Sequence, residues 1–154
     1  MKFTISLGLL NVLAFAQTAP TNVLTYTPPQ ALTVKAGGTA DAALSLKLDP
    51  AYHVNSNTPS DPYLIPLRLT WNPGPLEAVE VLFPRPRTEK FGFSQTPLSV
   101  FTGEFNITTR FRAASAAAIG PGVLTGKLRY QACNDRTCLT PKTIEVTIPI
   151  EIVK

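Results

Sequence analysis

The chain contains few of the side chains on which most enzyme chemistry depends. Among its 154 residues are two cysteines, one histidine and one tryptophan, and only 16% of the residues are charged. A hydrolytic triad would depend wholly on His53, and no nucleophile-elbow motif accompanies a serine. Two thiols and one imidazole are too few good ligands for a closed zinc site. The composition therefore argues against a triad hydrolase and against a metal site.

Strong charge of one sign is also missing. The formal net charge is +4, and the basic residues are scattered except for a loose cluster at Arg85, Arg87 and Lys90. A nucleic-acid-binding domain carries a dense basic patch or stripe. We interpret the cluster as a solvated loop and expect no nucleic-acid partner.

Long apolar runs are absent beyond the first residues. Lys2 precedes an apolar run over residues 3–15, and Ala14-Phe15-Ala16 has the small-x-small form of a cleavage site. The run is too short to span a bilayer and is interrupted by Thr4, Ser6 and Asn11. We predict a signal peptide over residues 1–16, and therefore a secreted or periplasmic protein that does not itself span the membrane.

Helical periodicity is absent as well, and short runs of period-two alternation take its place. They are separated by turn residues such as Gly37-Gly38 and Thr102-Gly103. This pattern predicts an all-β antiparallel sandwich of about eight or nine strands over residues 30–154. Residues 17–29 are interpreted as an extended lead-in strand or a loose terminus. The candidate strands are Ala31–Lys35, Ala42–Leu48, Tyr52–Val54, Leu67–Trp71, Ala78–Phe83, Leu98–Phe101, Glu104–Phe111, Val123–Ala132 and Thr143–Val153.

Both cysteines lie in one short segment, YQACNDRTCLTPKT, with four polar residues between Cys133 and Cys138. Strand candidates flank the segment, so the two cysteines should face each other across a hairpin loop. Opposed residues in an antiparallel pair have Cβ atoms about 4.5–5.5 Å apart, and a disulfide needs about 3.8 Å. We expect a disulfide in an oxidising compartment, at the tip of a solvent-facing hairpin that other proteins can reach.

The bond would stabilise the fold only modestly. A loop of six residues corresponds to roughly 2 kcal/mol in the chain-entropy expression, against more than about 4 kcal/mol for a loop of a hundred residues. The exposed hairpin favours redox chemistry, but Arg136 would lower a cysteine pKa while Asp135 would raise it. On spacing alone, a working redox pair and a structural staple are equally supported.

The cysteine segment resembles that of the N-terminal periplasmic domain of the thiol:disulfide interchange protein DsbD, also called the disulfide bond corrector family. The similarity lies in Tyr130-Gln131-Ala132-Cys133, the short polar loop, Cys138 and Pro141. A weaker likeness extends upstream, through LKLDPAYHVNSNTP with its aromatic-histidine pair and through FPRPRTEKFGFSQTPLSVFTGEFNI. In all it covers about residues 30 to 154, and the cysteine segment is its specific part.

The resemblance implies an immunoglobulin-like sandwich that accepts electrons from a membrane thiol reductase. It would pass them to periplasmic thioredoxin-like or disulfide proteins. Cys138 would form the mixed disulfide with a partner and Cys133 would resolve it. A cap loop would shield the pair, with Phe91 or Phe93 as its aromatic; no motif decides between them. The sulfurs carry the electrons, so no cofactor is expected, and we expect a monomer.

The segment also departs from the family pattern. The cysteine spacing is shorter than in the best-known members, and Leu139-Thr140 stands where an aromatic residue and a proline are common. The sequence lacks the membrane and thioredoxin-like domains of full-length DsbD, so we expect a stand-alone domain whose donor is a separate protein. The alternative is a non-enzymatic secreted interaction module with a structural disulfide.

Three further residues are expected to have structural roles. His53 is the lone histidine and lies in an apparent strand, and it is interpreted as partly buried and hydrogen-bonded rather than catalytic. Trp71 is expected to pack in the core, where a large aromatic supplies much of the buried area. Tyr130 is expected on the opposite face from Cys133, and hence also in the core.

Overall fold

The computed structural model describes residues 22–154, so the predicted signal peptide lies outside the described part of the chain. Residues 22–154 form twelve β-strands and no helix, which confirms the all-β fold class. The strands are β1 (Leu24–Thr27), β2 (Leu32–Lys35), β3 (Thr39–Leu48), β4 (His53–Asn55), β5 (Arg68–Trp71), β6 (Leu76–Leu82), β7 (Arg87–Glu89), β8 (Leu98–Thr102), β9 (Glu104–Ala113), β10 (Gly120–Tyr130), β11 (Ala132–Cys133) and β12 (Lys142–Val153).

Two four-stranded sheets form an immunoglobulin-like sandwich. One has the order β1-β3-β9-β6 and the other β2-β12-β10-β5. All strand pairs in the two sheets are antiparallel except β2 with β12, which is parallel. Alternation decides which residues face inward. In β3, Leu44, Leu46 and Leu48 are buried while the residues between them are exposed.

A third sheet has the order β11-β4-β8-β7 and carries Cys133 in β11 and His53 in β4. Its Val54, Phe101 and Ala132 join a core cluster that also contains leucines of β3 and β10. β9 and β10 of the two main sheets connect directly to β8 and β11 of this sheet. Strands that change sheet in this way form a corner. β8 continues into β9 across Gly103, whose φ of +63° is the left-handed region. β10 continues into β11 across Gln131.

The strand predictions were largely correct, with boundaries shifted by a few residues. The exception is Val123–Ala132, which was predicted as one strand and is split, because Ala132 pairs with β4 and not with the partners of β10. β1 falls within residues 17–29, the segment interpreted as an extended lead-in strand or a loose terminus, and β7 was not predicted. β7 has three residues and none of them is fully buried, so it shows no alternation from which a strand could be recognised.

Trp71 and Tyr130 occupy the core as predicted. Tyr130 is buried, and Trp71 is half-buried and packs against both core clusters. The indole ring meets Phe111 edge-on at a centroid distance of 5.1 Å. Its Nε1 donates a hydrogen bond to Thr109 Oγ1 at 3.0 Å, which satisfies the only polar atom of the ring.

Candidate functional site

Cys133 and Cys138 form a disulfide across a tight turn, as their spacing predicts. The two residues are antiparallel bridge partners with Cα atoms 3.9 Å apart. Asn134 organises the turn between them. Its N–H donates to Thr137 O, and its Oδ1 accepts hydrogen bonds from the N–H groups of Arg136 and Thr137, each at 2.9 Å. This is the Asx-turn behaviour that makes asparagine frequent in turns.

The cysteine segment is anchored to the third sheet. The ladder between β10 and β12 ends at Tyr130 and Lys142, and the eleven residues from 131 to 141 lie between those ends. Ala132 pairs with Val54 and Cys133 pairs with His53. Leu139 N donates to Ala132 O at 2.8 Å, and Gln131 Nε2 donates to Leu139 O at 3.0 Å. The first arm of the turn is therefore the edge strand β11, and the second arm lies along its outer side.

The two cysteines consequently differ in accessibility. Cys133 is 2% exposed, whereas Cys138 is exposed to solvent. The expectation that both sulfurs lie at the tip of a solvent-facing hairpin is correct for Cys138 and wrong for Cys133. The difference arises because Cys133 gains a strand partner in β4, which the local alternation did not indicate.

His53 lies directly opposite Cys133 and is itself 3% exposed. Its backbone also pairs with Thr102 of β8, so β4 is held from both sides. The side chain is more deeply buried than the predicted partial burial, and its Nε2 has no hydrogen-bond partner. Burial lowers the pKa of His53 below its ordinary value, while the charges of Glu89 and Asp135 oppose that effect.

The predicted cap aromatics contact His53, the strand neighbour of Cys133. We define the cap loop as residues 90–97, between β7 and β8. The ring of Phe91 stacks on the imidazole of His53 at a centroid distance of 3.9 Å and an angle of 18°. Phe93 is near-parallel to the imidazole at 6.2 Å, stands 5.6 Å from Phe91 and is 45% exposed. Phe91 is the inner of the two rings.

Hydrogen bonds within the cap loop hold it in this shape. Lys90 Nζ donates to Gln95 O, Ser94 N donates to Phe91 O at 3.1 Å, and Ser94 Oγ donates to Thr96 O at 2.6 Å. Gly92, between the two aromatics, has open space around the position of a Cβ. The cap loop is thus an ordered turn that carries an aromatic pair.

His53 is the residue of this site that the sequence reasoning undervalued. Its position beside Cys133 depends on the pairing of β4 with β11, two strands that are almost eighty residues apart in the chain. The one signal available in the sequence was the aromatic-histidine pair in the segment that resembles the DsbD family. That signal marked the residue without indicating its neighbour.

Residues 22–154 contain neither a candidate membrane-spanning helix nor a candidate metal site. Within that range, no helix is long and apolar enough to cross a membrane. The same residues include no group of three or more histidine, cysteine or acidic side chains that could hold a metal ion.

Comparison with solved structures shows a protein with a similar fold. The N-terminal periplasmic domain of ScsB from Proteus mirabilis matches with a TM-score of 0.53 and 13% sequence identity, over 87% of this chain and 49% of that chain. At this identity the match shows the fold alone, and the chain spans about half of that structure's length.

Two other structures match with TM-scores below 0.5, and no inference is drawn from them. One belongs to a type I cohesin–dockerin complex from Clostridium thermocellum, with a TM-score of 0.45 and 12% identity over 86% of this chain and 100% of that chain. The other is PapD-like domain 7 of human CEP192, with a TM-score of 0.41 and 11% identity over 94% and 95%.

Sequence comparison identifies the family. No individually curated protein matches the chain significantly. The model of the N-terminal region of the thiol:disulfide interchange protein DsbD matches residues 23–149, which is most of the chain and includes Cys133, Cys138, His53 and the cap loop. The chain therefore belongs to the family of DsbD N-terminal domains.

Proposed function

We propose that this protein performs thiol-disulfide exchange in the periplasm, relaying electrons from a membrane thiol reductase to secreted thioredoxin-like or disulfide proteins. The observation that carries the proposal is the unequal exposure of the two cysteines: Cys138 is open to solvent and Cys133 is 2% exposed. An exchange site needs one sulfur that a partner can reach and a second that stays within the domain.

The unequal exposure supports the following roles for the two cysteines. A donor thiolate attacks Cys138 Sγ, the bond between Cys133 and Cys138 breaks, and Cys133 leaves as a thiolate. The donor's second thiol then releases Cys138 by closing a disulfide of its own. In the second half of the cycle, the Cys138 thiolate attacks an acceptor disulfide. Cys133 resolves the resulting mixed disulfide, so two electrons pass from donor to acceptor and no cofactor takes part.

The cap loop restricts access to this chemistry. Phe91 stacks on His53, the strand neighbour of Cys133, and the exposed ring of Phe93 lies beside Phe91. A partner with an apolar rim around its own reactive cysteine would displace the rings and bury them against its own surface. A small thiol in solution has no surface on which the displaced rings could be buried.

The compartment and partners are inferred from the family and the chain's first residues. DsbD-type exchange domains and the matched ScsB domain are described as thiol:disulfide interchange and periplasmic proteins, respectively. The predicted signal peptide over residues 1–16 would deliver the chain to the same compartment, where disulfides persist.

A trapping experiment with paired serine variants tests the roles. Cys133→Ser leaves the exposed sulfur and Cys138→Ser leaves the buried one. Each variant is activated with Ellman's reagent and mixed with a reduced thioredoxin whose buried active-site cysteine is replaced by serine. We expect a disulfide-linked complex with Cys133→Ser and little with Cys138→Ser, read on a non-reducing gel.

The two contrary outcomes are distinct. Equal trapping by both variants would overturn the assignment of Cys138 as the attacking sulfur. Trapping by neither, with both variants folded, would favour the alternative function, a secreted interaction module that keeps the disulfide as a structural bond.

A further inference from the structure

The position of Cys133 creates a chemical requirement that the cysteine pair alone does not meet. The attacking species in disulfide exchange is the thiolate, and a thiol in apolar surroundings ionises with difficulty because burial raises its pKa. Once reduced, Cys133 occupies a site with 2% exposure, where water is poorly placed to remove its proton. A resolving cysteine in this position needs a base within the protein.

His53 is the group that the fold places opposite this cysteine. The two residues are directly paired across β4 and β11, and directly opposed side chains of an antiparallel pair lie on the same face with Cβ atoms about 4.5–5.5 Å apart. His53 is 3% exposed, and its Nε2 has no hydrogen-bond partner. A buried polar atom without a partner is costly, so its retention calls for an explanation.

We propose that His53 is the proton acceptor for Cys133, a role that rests on the proposed exchange function. The imidazole takes the Cys133 proton when this cysteine resolves a mixed disulfide. In the disulfide state the cysteine has no proton to donate, and Nε2 is left unpartnered, as observed.

The balance of the step is complete within the named groups. The Cys133 thiol gives its proton to neutral His53 and becomes a thiolate. The thiolate attacks Cys138 Sγ, forming the bond between Cys133 and Cys138 and breaking the bond between Cys138 and the acceptor. The acceptor's sulfur leaves with the electron pair, and the imidazolium proton passes to it directly or through water. His53 returns to its neutral form and the acceptor is reduced.

The surroundings of His53 suit a base that is neutral at rest and charged only briefly. Burial disfavours the imidazolium, which keeps the resting ring able to accept a proton. Glu89, at the end of β7, and Asp135, in the cysteine turn, supply negative charge that stabilises the transient cation. On the other side of β4, His53 pairs with uncharged Thr102, and the face of its ring is covered by Phe91.

The first test uses the fact that His53 is the only histidine of the chain. In untagged protein, the imidazole Hε1 resonance can be assigned without ambiguity and titrated by proton NMR in the oxidised and the reduced form. We expect the pKa of His53 to differ between the two forms, because only the reduced form places an ionisable thiol opposite the ring. Identical titration in both forms would overturn the proposal.

The second test separates the two cysteine steps. Reduced protein mixed with equimolar Ellman's reagent releases one thionitrobenzoate when Cys138 attacks and a second when Cys133 resolves the adduct. In His53→Gln we expect the second release to slow at least about a hundredfold near neutral pH, the low end of general-base effects, while the first changes little. As the pH rises and the Cys133 thiol ionises without help, the variant should approach the wild-type rate.

Two further variants control for packing. His53→Phe keeps a flat ring under Phe91 and should show the same defect as His53→Gln, so the test survives if one of them folds poorly. Asn55→Ala alters a buried side chain two residues further along β4 that also has an unpartnered atom, and it should leave both releases unchanged. A slowing that stays constant at every pH, or that Asn55→Ala reproduces, would show a packing effect and overturn the proposal.

The outcomes distinguish this inference from the function beneath it. If wild-type Cys138 releases no thionitrobenzoate, the exchange function fails and the proton acceptor fails with it. If the wild type releases both equivalents and the His53 variants match its rates across the pH range, exchange stands and only the role of His53 is refuted.

Discussion

At the scale of single residues, the site is defined by what surrounds each sulfur. Cys138 follows an exposed turn stabilised by Asn134, whereas Cys133 is part of a strand that pairs with β4. Spacing in the sequence was sufficient to predict that the two cysteines bond, because that contact is local. It could not indicate that Cys133 is buried opposite His53, because that contact joins distant strands.

The sequence did not decide whether Phe91 or Phe93 is the aromatic of the cap loop, and the structure allows a prediction. Phe91→Ala should raise the rate constant for reduction of the disulfide by glutathione severalfold, because this ring stacks on His53 at 3.9 Å. Phe93→Ala should raise it less, because Phe93 is already 45% exposed and lies 6.2 Å from the imidazole. Stopped-flow measurement of thiol formation compares the two variants.

This pair of variants is matched in chemistry, since each removes one phenyl ring from the same loop. The assignment of Phe91 as the cover would be contradicted if Phe93→Ala gave the larger acceleration, or if neither variant differed from the wild type.

The buried histidine also predicts how stability depends on pH. The pKa of His53 in the unfolded chain is near its ordinary 6.5, and burial lowers it in the folded protein. Below the unfolded value, the unfolded chain binds more protons than the folded one, so folding stability falls as pH falls. In the oxidised wild type, the thermal midpoint should fall as the pH is lowered from about 7.5 to about 5.

His53→Phe provides the control for this effect. Its thermal midpoint should change much less over the same interval, because the carboxylates with lowered pKa values, Asp41 and Glu104, titrate at lower pH. Parallel curves for the wild type and His53→Phe would contradict the interpretation.

At the scale of elements, the site depends on strands that leave the two main sheets and meet in a third. The bend between β8 and β9 lies at Gly103, with φ of +63° and open space around the position of a Cβ. The backbone conformation alone therefore requires glycine there, because other L-residues are strained in the left-handed region. This bend sets the direction of the strand that carries the end of the cap loop.

Gly103→Ala should reduce the free energy of unfolding by about 1–2 kcal/mol relative to Gly92→Ala. Both glycines have no atom within 4 Å of a Cβ, and only Gly103 has a positive φ. The comparison therefore isolates backbone strain from steric contact. Denaturant titrations of the two variants measure the difference, and equal stabilities would contradict the importance of the bend.

The long strands of the sandwich could be predicted from the sequence because each contains a repeated alternation that burial enforces. β3, for example, shows its leucines every second residue, and all of them are buried. Parts of the third sheet were harder to predict, since β7 and β11 have three and two residues and the pairing of β11 with β4 joins distant segments of the chain. The candidate site lies in the part of the fold where local periodicity carries the least information.

At the scale of the whole molecule, the scaffold does not depend on the disulfide. Two core clusters, filled mainly by leucine, isoleucine and valine side chains of the main sheets, hold the sandwich together. The bond between Cys133 and Cys138 closes a loop of sequence separation 5, and such a short loop adds only about 2 kcal/mol through chain entropy. We therefore expect the fold to persist while the cysteine pair opens and closes in the proposed exchange.

The reduction potential of the Cys133–Cys138 pair tests this account most directly. It is measured by equilibrating the protein with dithiothreitol buffers of graded ratio and quantifying free thiols. We predict a potential above about −300 mV, in the range of exchange proteins, with reversible opening of the pair in a folded domain. A potential well below about −300 mV, with no exchange against thioredoxin, would identify a structural disulfide and contradict the account.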